Sequence, residues 1–299
     1  MGFSATDAAL EGFRITRARP SAILAWAAVQ LLFVVLARLA LIGIVGDQAQ
    51  AFFSLTLFSN PEAMAKLAPV ISQYTAAYLA LLVVLCGVLY PAVDRAVLRP
   101  GEGGWGWLRL GMDEARQVGV FACWMLVLLA AYLAGMVVVQ IVALLVGLVL
   151  GQAGAFVAAV VGFLADVALV VWIGVRLSLA PPATFDRRRF ALFDTWTLTR
   201  GRVGPLLGAF LISWLLTFLV TVLVSFISGA IASLLPGAPA PGATPPAFGT
   251  TFASILEPQS IVELLFGALA GGLITPLMLA PPAYAYRALA GGGPEKTFA

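Results

Sequence analysis

The sequence predicts an all-α membrane protein: a polytopic bundle of six transmembrane helices, with short amphipathic helices on its cytoplasmic side. Composition is the first reason, because 62% of the residues are apolar and 10% are charged, against about 25% charged in a soluble domain. Lipid, and not water, solvates such a surface. The second reason is six apolar stretches long enough to cross about 30 Å of hydrocarbon. They cover residues 21–45, 70–93, 118–149, 155–180, 203–235 and 261–286.

The positions of the basic residues predict the orientation in the membrane. Of the 17 Lys and Arg residues, all but Arg38, Lys66 and Arg176 lie in the N-terminal segment, in every second loop or in the C-terminal tail. Cytoplasmic loops carry such an excess, so we expect both termini in the cytoplasm. The excess of Arg over Lys indicates a bacterial source, and the expected location is the bacterial inner membrane.

The chain is predicted to begin with an amphipathic helix. Ser4 and Asp7 form a capping box that opens this helix, and it is expected to end before Pro20. Its buried face is predicted to consist of Ala8, Leu10 and Phe13. The run 21–45 that follows is longer than the apolar core of a signal peptide, and we expect it to remain as an anchor.

The first and last of the three outer loops differ in kind. Residues 46–69 carry large apolar side chains that predict a segment lying on the head groups. These side chains are Phe52, Phe53, Leu55, Leu57 and Phe58. Residues 236–258 contain six prolines among Gly, Ala and Thr, which is typical of a flexible linker.

The third and fourth spans are joined only by residues 151–154, Gly-Gln-Ala-Gly, which predict a tight turn and a helical hairpin.

The inner loops are predicted to be partly helical. An amphipathic helix is predicted before the third span and another before the fifth. The former aligns Trp105, Leu108, Met112 and Ala115; the latter is capped by Asp186, aligns Phe190, Phe193 and Trp196, and ends at Gly201.

A proline followed by an arginine recurs after each pair of spans, at Pro91, Pro181 and Pro281. One interpretation is three repeated helix-hairpin units of like orientation, related by an axis along the membrane normal. The units would be residues 1–100, 101–186 and 187–299. The other interpretation is that proline ends or kinks helices at the cytoplasmic face and arginine anchors them there. In both cases we expect one integral membrane domain over residues 1–299.

Four ionisable residues fall within the predicted spans, where a charge costs several kcal/mol: Arg38, Asp166, Arg176 and Glu263. Arg38 is predicted to pair with Asp166 or with Glu263. The alternative for Arg38, Arg176 and Glu263 is that each extends to the nearest interface. Asp166 is too short to do so from mid-depth, and it therefore pairs, is protonated or faces a wet cavity.

Five arginines of the loop after the fourth span are candidate contacts for anionic lipid head groups. They are Arg187, Arg188, Arg189, Arg200 and Arg202. The alternative is that their charge only orients the chain. On the sixth span, Gly267, Gly271 and Gly272 predict close helix packing.

The residue types argue against catalysis. The chain contains no His, which argues against imidazole-dependent metal, haem and triad sites. It has neither a phosphate-binding loop nor a GxSxG motif. Cys86 and Cys123 lie in spans without a CxxC partner and are expected to be packing residues. We expect a non-enzyme without cofactors and without a nucleic-acid partner.

Two stretches carry a family resemblance. Residues 175–182 read Val-Arg-Leu-Ser-Leu-Ala-Pro-Pro, and residues 192–201 read Leu-Phe-Asp-Thr-Trp-Thr-Leu-Thr-Arg-Gly. Together they resemble the R-L-S-L-x-x-P and S-W-x-L-T-x-G strings of YciC-type bacterial inner-membrane proteins, and of the membrane domain attached to some glycerophosphoryl diester phosphodiesterases. Thr195 replaces the Ser of that pattern. The resemblance implies an all-helical membrane domain, assigns no catalytic residue and does not imply the phosphodiesterase activity.

Two classes of function follow from these observations. The first is a non-enzymatic inner-membrane protein that organises lipids or accompanies a partner membrane protein, which predicts a packed bundle with an exposed partner-binding face. The second is a small transporter or channel, which predicts a water-accessible cavity lined by Asp166.

Overall fold

The computed structural model of the chain describes residues 4–48, 52, 60–235 and 251–291. All regular structure within these ranges is helical, which confirms the all-α prediction. The helices are α1 (Ala5–Ala18), α2 (Ser21–Val45), α3 (Pro61–Leu98), α4 (Met112–Leu177), α5 (Ala180–Arg187), α6 (Thr195–Leu198), α7 (Val203–Ser233), α8 (Phe252–Ile255) and α9 (Pro258–Ala290). Short 3-10 turns lie at Gly46–Gln48 and Trp105–Trp107.

Five of these helices, α2, α3, α4, α7 and α9, are long and apolar enough to cross a membrane. The chain therefore has the character of a membrane protein. Several helices extend past the apolar boundaries read from the sequence, since α3 begins at Pro61 and continues to Leu98. Asn60 caps that helix, because its side-chain oxygen accepts hydrogen bonds from the first free backbone N–H groups.

The long helix α4 is broken at Gly151, whose φ of 71° and ψ of −170° are not helical. The two arms, 112–150 and 152–177, fold back on each other. A methyl group at Gly162 would lie 3.0 Å from both methyl carbons of Val139, and one at Gly147 would lie 3.1 Å from the Cβ of Ala155. The predicted hairpin is therefore present, and its turn is at the predicted glycine, which tolerates a positive φ at low cost.

Helix α9 is the centre of the bundle and packs against α1, α2, α3 and α7. It approaches α2 closely, because a methyl group at Gly272 would lie 2.7 Å from the backbone oxygen of Ile23. Gly271 faces the side chain of Gln30, whereas Gly267 has open space around it. The close packing predicted for this helix is found at two of the three glycines.

Helix α1 lies against α9 through small residues. Ser4 accepts a hydrogen bond from the backbone N–H of Asp7, as predicted for the cap. The predicted buried face is wrong in part, because Leu10 and Phe13 are 38% and 41% exposed. The buried face is instead made of Ala8, Ala9, Glu11, Gly12 and Ile15. Small side chains are buried because they let the two helix backbones come together.

The two amphipathic helices predicted in the later inner loops are not found. Residues 105–107 form a tight turn in which Gly106 has a φ of 61°, and Trp107 stacks on Trp26 with ring centroids 6.4 Å apart. The Trp26 indole N–H also donates to the Gly106 backbone oxygen at 2.9 Å. These aromatic contacts prevail over the helical spacing of the sequence.

The amphipathic helix predicted before the fifth span does not form at its predicted start. Asp186 lies inside α5 and caps nothing, and Phe190 and Phe193 are exposed. Only Thr195–Leu198 is helical in that region. The helix was expected to end at Gly201, and this residue does adopt a positive φ, of 73°.

Pro91 and Pro281 were each expected to end or kink a helix. Neither of them ends one, since α3 continues past Pro91 and α9 continues past Pro281. Pro181 and Pro182 instead begin α5, in the first turn, where a missing N–H has no cost. Three other predictions fall outside the described residues. They concern most of the aromatic segment around Phe53 to Phe58, the proline-rich linker between 236 and 250, and Lys296 in the tail.

Burial is concentrated at one end of the bundle. We call it the basic end: the end where α1, residues 99–111, α5, α6 and the C-terminal part of α9 meet. One buried cluster there includes Trp26, Val93, Trp107 and Ala283. A second includes Leu179, Leu206, Ala285 and Tyr286. Away from this end the apolar helices are mostly exposed; within α7, for example, burial is confined to Leu206, Ala209 and Ser213.

Candidate functional site

The three proline-containing strings of the sequence converge at the basic end. The Tyr286 hydroxyl donates to a carboxylate oxygen of Asp186 at 3.0 Å, and Arg99 donates to the backbone oxygen of the same residue at 3.2 Å. Arg287 donates to the backbone oxygen of Val97 at 2.8 Å. The strings that end α3, form α5 and end α9 therefore meet in one polar centre, which is exposed at Asp186.

An ion pair between Arg95 and Glu114 forms the middle of this centre. The two groups are 2.5 Å apart, and their side chains are only 3% and 7% exposed. Arg95 also donates to the backbone oxygen of Trp107 at 3.0 Å, and its guanidinium lies 5.4 Å from the centroid of the Phe185 ring. The pair joins the end of α3 to the start of α4. Removing one partner of a buried pair costs about 3–5 kcal/mol of stability.

Two other polar groups are buried beside that pair. Gln117 donates to the backbone oxygen of Pro181 at 2.7 Å, which ties α4 to the start of α5. Asp94 is completely buried, and neither of its carboxylate oxygens has a hydrogen-bond partner among the described residues. A buried polar group without a partner is rare in proteins.

An apolar crevice of about 350 Å³ lies next to the polar centre, between α3, both arms of α4, α7 and α9. Its polar groups come from Tyr90, Trp124, Ser178, Ser213 and Trp214, and the Trp124 indole N–H has no partner among the described residues. The rest of its wall is Val171, Gly174, Val175, Leu207, Phe210, Leu211, Met278 and Pro282. An apolar cavity with a few polar groups is typical of a small-molecule or lipid site.

The four charges predicted within the spans fall into three environments. Arg38 and Glu263 are brought together, with a guanidinium nitrogen 3.6 Å from a carboxylate oxygen. This is one of the two pairings that the sequence left open. It joins α2 to α9 at the end opposite the basic end.

Asp166 lies between the two arms of α4 and is 4% exposed. Its carboxyl group faces Gly135, where a methyl group would collide with it. Neither carboxyl oxygen has a hydrogen-bond partner among the described residues. Asp166 does not line the apolar crevice.

Arg176 is 7% exposed and lies beside two tryptophans, which contact each other, near the end of α4. The carbon at the centre of its guanidinium is 4.6 Å from the ring centroid of Trp196 and 5.6 Å from that of Trp172. Its backbone oxygen accepts hydrogen bonds from the hydroxyls of Thr195 and Thr199. The two stretches of the family signature are therefore packed against each other.

The five arginines predicted as head-group contacts are all exposed, but they differ in their neighbours. Arg187 and Arg189 both bind Asp194, at 2.8 Å and 2.5 Å. Arg188, Arg200 and Arg202 make no ion pair with any described residue. Three of the five arginines therefore have no carboxylate partner among the described residues, and the other two share the single carboxylate of Asp194.

Helix α1 is fixed to the basic end by charge as well as by packing. Glu11 pairs with Arg287 of α9 at 3.2 Å and with Arg14 at 3.3 Å. A hydrogen bond from Arg14 lowers the pKa of Asp7, and a second from Ser4 acts in the same direction. Because that pKa is lowered, the contribution of Asp7 to stability is present above its unfolded pKa and is lost as the pH falls through its folded one.

Sequence reasoning missed Asp94, Arg95, Glu114, Gln117 and Tyr286 as members of a site. A signal was present, because each recurring proline is followed within a few residues by an acidic or tyrosyl residue and then by Arg. Charged residues in short loops are usually solvated, so the pattern indicates a repeated unit or the orientation of the chain and not a buried polar site. Convergence of the three strings is a tertiary feature, which no local pattern reports.

The described residues contain no group of three or more Cys, Asp and Glu side chains that could hold a metal ion. No family model, no curated protein and no solved structure matches this chain.

Proposed function

We propose that this chain is a six-span protein of the bacterial inner membrane that binds membrane lipid in the apolar crevice. In this proposal it organises lipids or accompanies a partner membrane protein, and it is not an enzyme. The observation that carries the proposal is the crevice itself. It combines about 350 Å³ of largely apolar space with a few polar groups, in a chain whose long helices suit a bilayer.

The break at Gly151 supports six crossings in place of five. Each arm of α4 is longer than about 20 residues, which is the length that a crossing needs. The basic end supports the proposed orientation, because α1, residues 99–111 and residues 186–202 carry most of the basic residues. Anionic lipids and the positive-inside rule favour the cytoplasmic side for such an end.

The family resemblance remains part of the proposal. The contacts of Arg176 with Thr195, Trp196 and Thr199 support it, because they make one structural unit of two stretches that are separate in sequence. A YciC-type domain would account for a membrane bundle without catalytic residues. The transporter alternative is less well supported, because Asp166 lies between the arms of the hairpin and outside the crevice.

Native mass spectrometry of the full chain, released from membranes in mild detergent, tests the crevice. Gly174→Leu and Ser213→Leu add bulk to its wall, whereas Ala168→Leu adds the same bulk to an exposed position on the same arm as Gly174. We expect both crevice variants to retain about tenfold less lipid than the wild type and the control, a loss of about 1.4 kcal/mol in binding.

Equal lipid retention in all four proteins would show that the crevice is not the lipid site. Thermal unfolding of each variant separates filling of the crevice from loss of the fold. A methyl group at Gly174 would have its nearest neighbour at 3.9 Å, so Gly174→Ala serves as a folded reference at the same position.

A further inference from the structure

Arg176 is a charged side chain that the protein encloses without neutralising. Its guanidinium is covered by the rings of Trp196 and Trp172, which are nearly perpendicular to each other at 89° and have centroids 5.3 Å apart. Aromatic rings attract a cation by about 0.5–2 kcal/mol each. They do not supply the hydrogen-bond acceptors that a guanidinium needs.

No carboxylate takes that role. Among the described residues Arg176 makes no ion pair, and its Nε is buried without an acceptor. Asp194 lies close in sequence to Trp196, but Arg187 and Arg189 already bind it. The other deeply buried arginine, Arg95, has Glu114 at 2.5 Å and Asp113 at 3.8 Å. An arginine enclosed without such a partner lacks its counter-charge.

The surroundings of Arg176 add positive charge. The hydroxyls of Thr195 and Thr199 bond its backbone oxygen at 3.4 Å and 3.3 Å, which fixes the following turn against the end of α4. Arg200 and Arg202 continue that turn, and both are exposed without an ion pair among the described residues. Two exposed arginines therefore follow directly on the segment that is bonded to the end of α4.

We propose that Arg176 binds a phosphate group, with Arg200 or Arg202 adding to the attraction, and that this phosphate belongs to the head group of an anionic phospholipid. The guanidinium edge presents paired N–H donors that match two phosphate oxygens. The packing of the guanidinium against the two rings holds that edge in one orientation, so little rotamer freedom is lost on binding. The end of α4 is the level at which a membrane-spanning helix meets the head groups.

This site is separate from the apolar crevice. Trp172 and Arg176 do not line that cavity, whereas Gly174, Val175 and Ser178 of the same helix do. The inference rests on the proposed membrane location but not on the proposed lipid in the crevice. Loss of one can therefore be observed without loss of the other.

The test uses the full chain in nanodiscs of phosphatidylcholine with a rising fraction of phosphatidylglycerol, and native mass spectrometry counts each lipid retained after release. We expect the wild type to retain phosphatidylglycerol over phosphatidylcholine, and Arg176→Gln to reduce that preference about tenfold, as for a lost charged hydrogen-bond pair. Arg176→Lys keeps the charge without the paired donors, and we expect an intermediate preference. Arg189→Gln, at an arginine whose guanidinium already binds Asp194, should leave the preference unchanged.

A second arm distinguishes the source of the phosphate. Inorganic phosphate is added to protein in pure phosphatidylcholine nanodiscs, and thermal unfolding is followed. A rise in Tm that Arg176→Gln removes, without any preference for phosphatidylglycerol, would support the phosphate site and overturn its assignment to a lipid. An equal lipid preference in wild type, Arg176→Lys and Arg176→Gln, with no effect of phosphate, would overturn the site.

The crevice variant Gly174→Leu completes the design. We expect it to lose total lipid but to keep the preference for phosphatidylglycerol, so failure of the crevice proposal and failure of the phosphate site give different results. Should Arg176→Gln not fold, the comparison of Arg176→Lys with wild type still decides the matter, because only the paired donors differ.

Discussion

Asp166 and Gly135 face each other across the two arms of α4. The carboxyl group of Asp166 occupies the space that any side chain at Gly135 would fill, and it has no hydrogen-bond partner among the described residues. A carboxyl group in this setting needs a small neighbour. The glycine is therefore required by the aspartate and not by the backbone, which is helical there.

We predict that Gly135→Ala destabilises the protein by about 1–2 kcal/mol, because the new methyl group displaces a buried carboxyl group. In an Asp166→Ala background the space is free, and the same substitution should be neutral or stabilising, since Ala is the better helix former. Thermal unfolding in detergent of the two single variants and the double variant measures the coupling. An equal penalty in both backgrounds would contradict the contact, and Gly174→Ala, with room for its methyl group, is the matched control.

Depth in the membrane was the only guide that the sequence offered for pairing the charges. It leaves Asp166 and Glu263 as alternative partners of Arg38, and Glu263 is the one that lies 3.6 Å from it. It fails for Arg95 and Glu114, because their contact depends on how the end of α3 meets the start of α4. Both residues also lie outside the predicted spans, in a loop that a sequence pattern marks as solvated.

At the scale of elements, the contact between α1 and α9 shows why the buried face of a helix can be misread. Leu10 and Phe13 are two of the three large apolar residues of α1, and the sequence pattern assigns them to the interior, but of the three only Ile15 is buried. The interface is instead formed where Gly12 meets the backbone of Pro276. Two helices can approach this closely only where the facing residues are small, and the hydrophobicity of a residue does not show whether it lies at such a contact.

We predict that Gly12→Leu releases α1 from α9. A methyl group at Gly12 would already lie 2.5 Å from the backbone oxygen of Pro276, and overpacking of this kind costs about 1–3 kcal/mol. Limited proteolysis should then cut the N-terminal region at Arg14 or Arg17 faster than in the wild type. Gly267→Leu has open space around it and should behave as wild type; equal cleavage of both variants would argue against the contact.

At the scale of the whole molecule, one end is packed and polar while the rest is largely apolar surface. The all-helical, apolar character of the chain is predictable from the sequence, because hydrophobicity is a local property. The polar centre is not predictable in this way. It consists of side chains from α3, α4, α5 and α9 that are brought together only by the fold.

Labelling of single cysteines with a membrane-impermeant maleimide tests the proposed topology. In a background with Cys86 and Cys123 replaced by Ala, we expect Gln152→Cys and Thr251→Cys to react from the periplasm and Arg189→Cys to react only in inverted vesicles. Gln152 follows the turn at Gly151, so the side of the membrane on which Gln152 lies distinguishes six crossings from five. Reaction of Gln152→Cys and Arg189→Cys from the same side would contradict the six-span topology.

The ion pair between Arg38 and Glu263 also has a consequence for bilayers of different thickness. Arg38 lies about 26 Å along α2 from its first residue. The pair therefore places charged groups of α2 and α9 at one depth, near the outer boundary of about 30 Å of hydrocarbon. The tip of the hairpin, beyond Gly135 and Asp166, is not held at one depth in this way, since residues 136–165 contain no charged side chain. Hydrophobic mismatch should therefore change the depth of the hairpin tip while the pair stays at the interface.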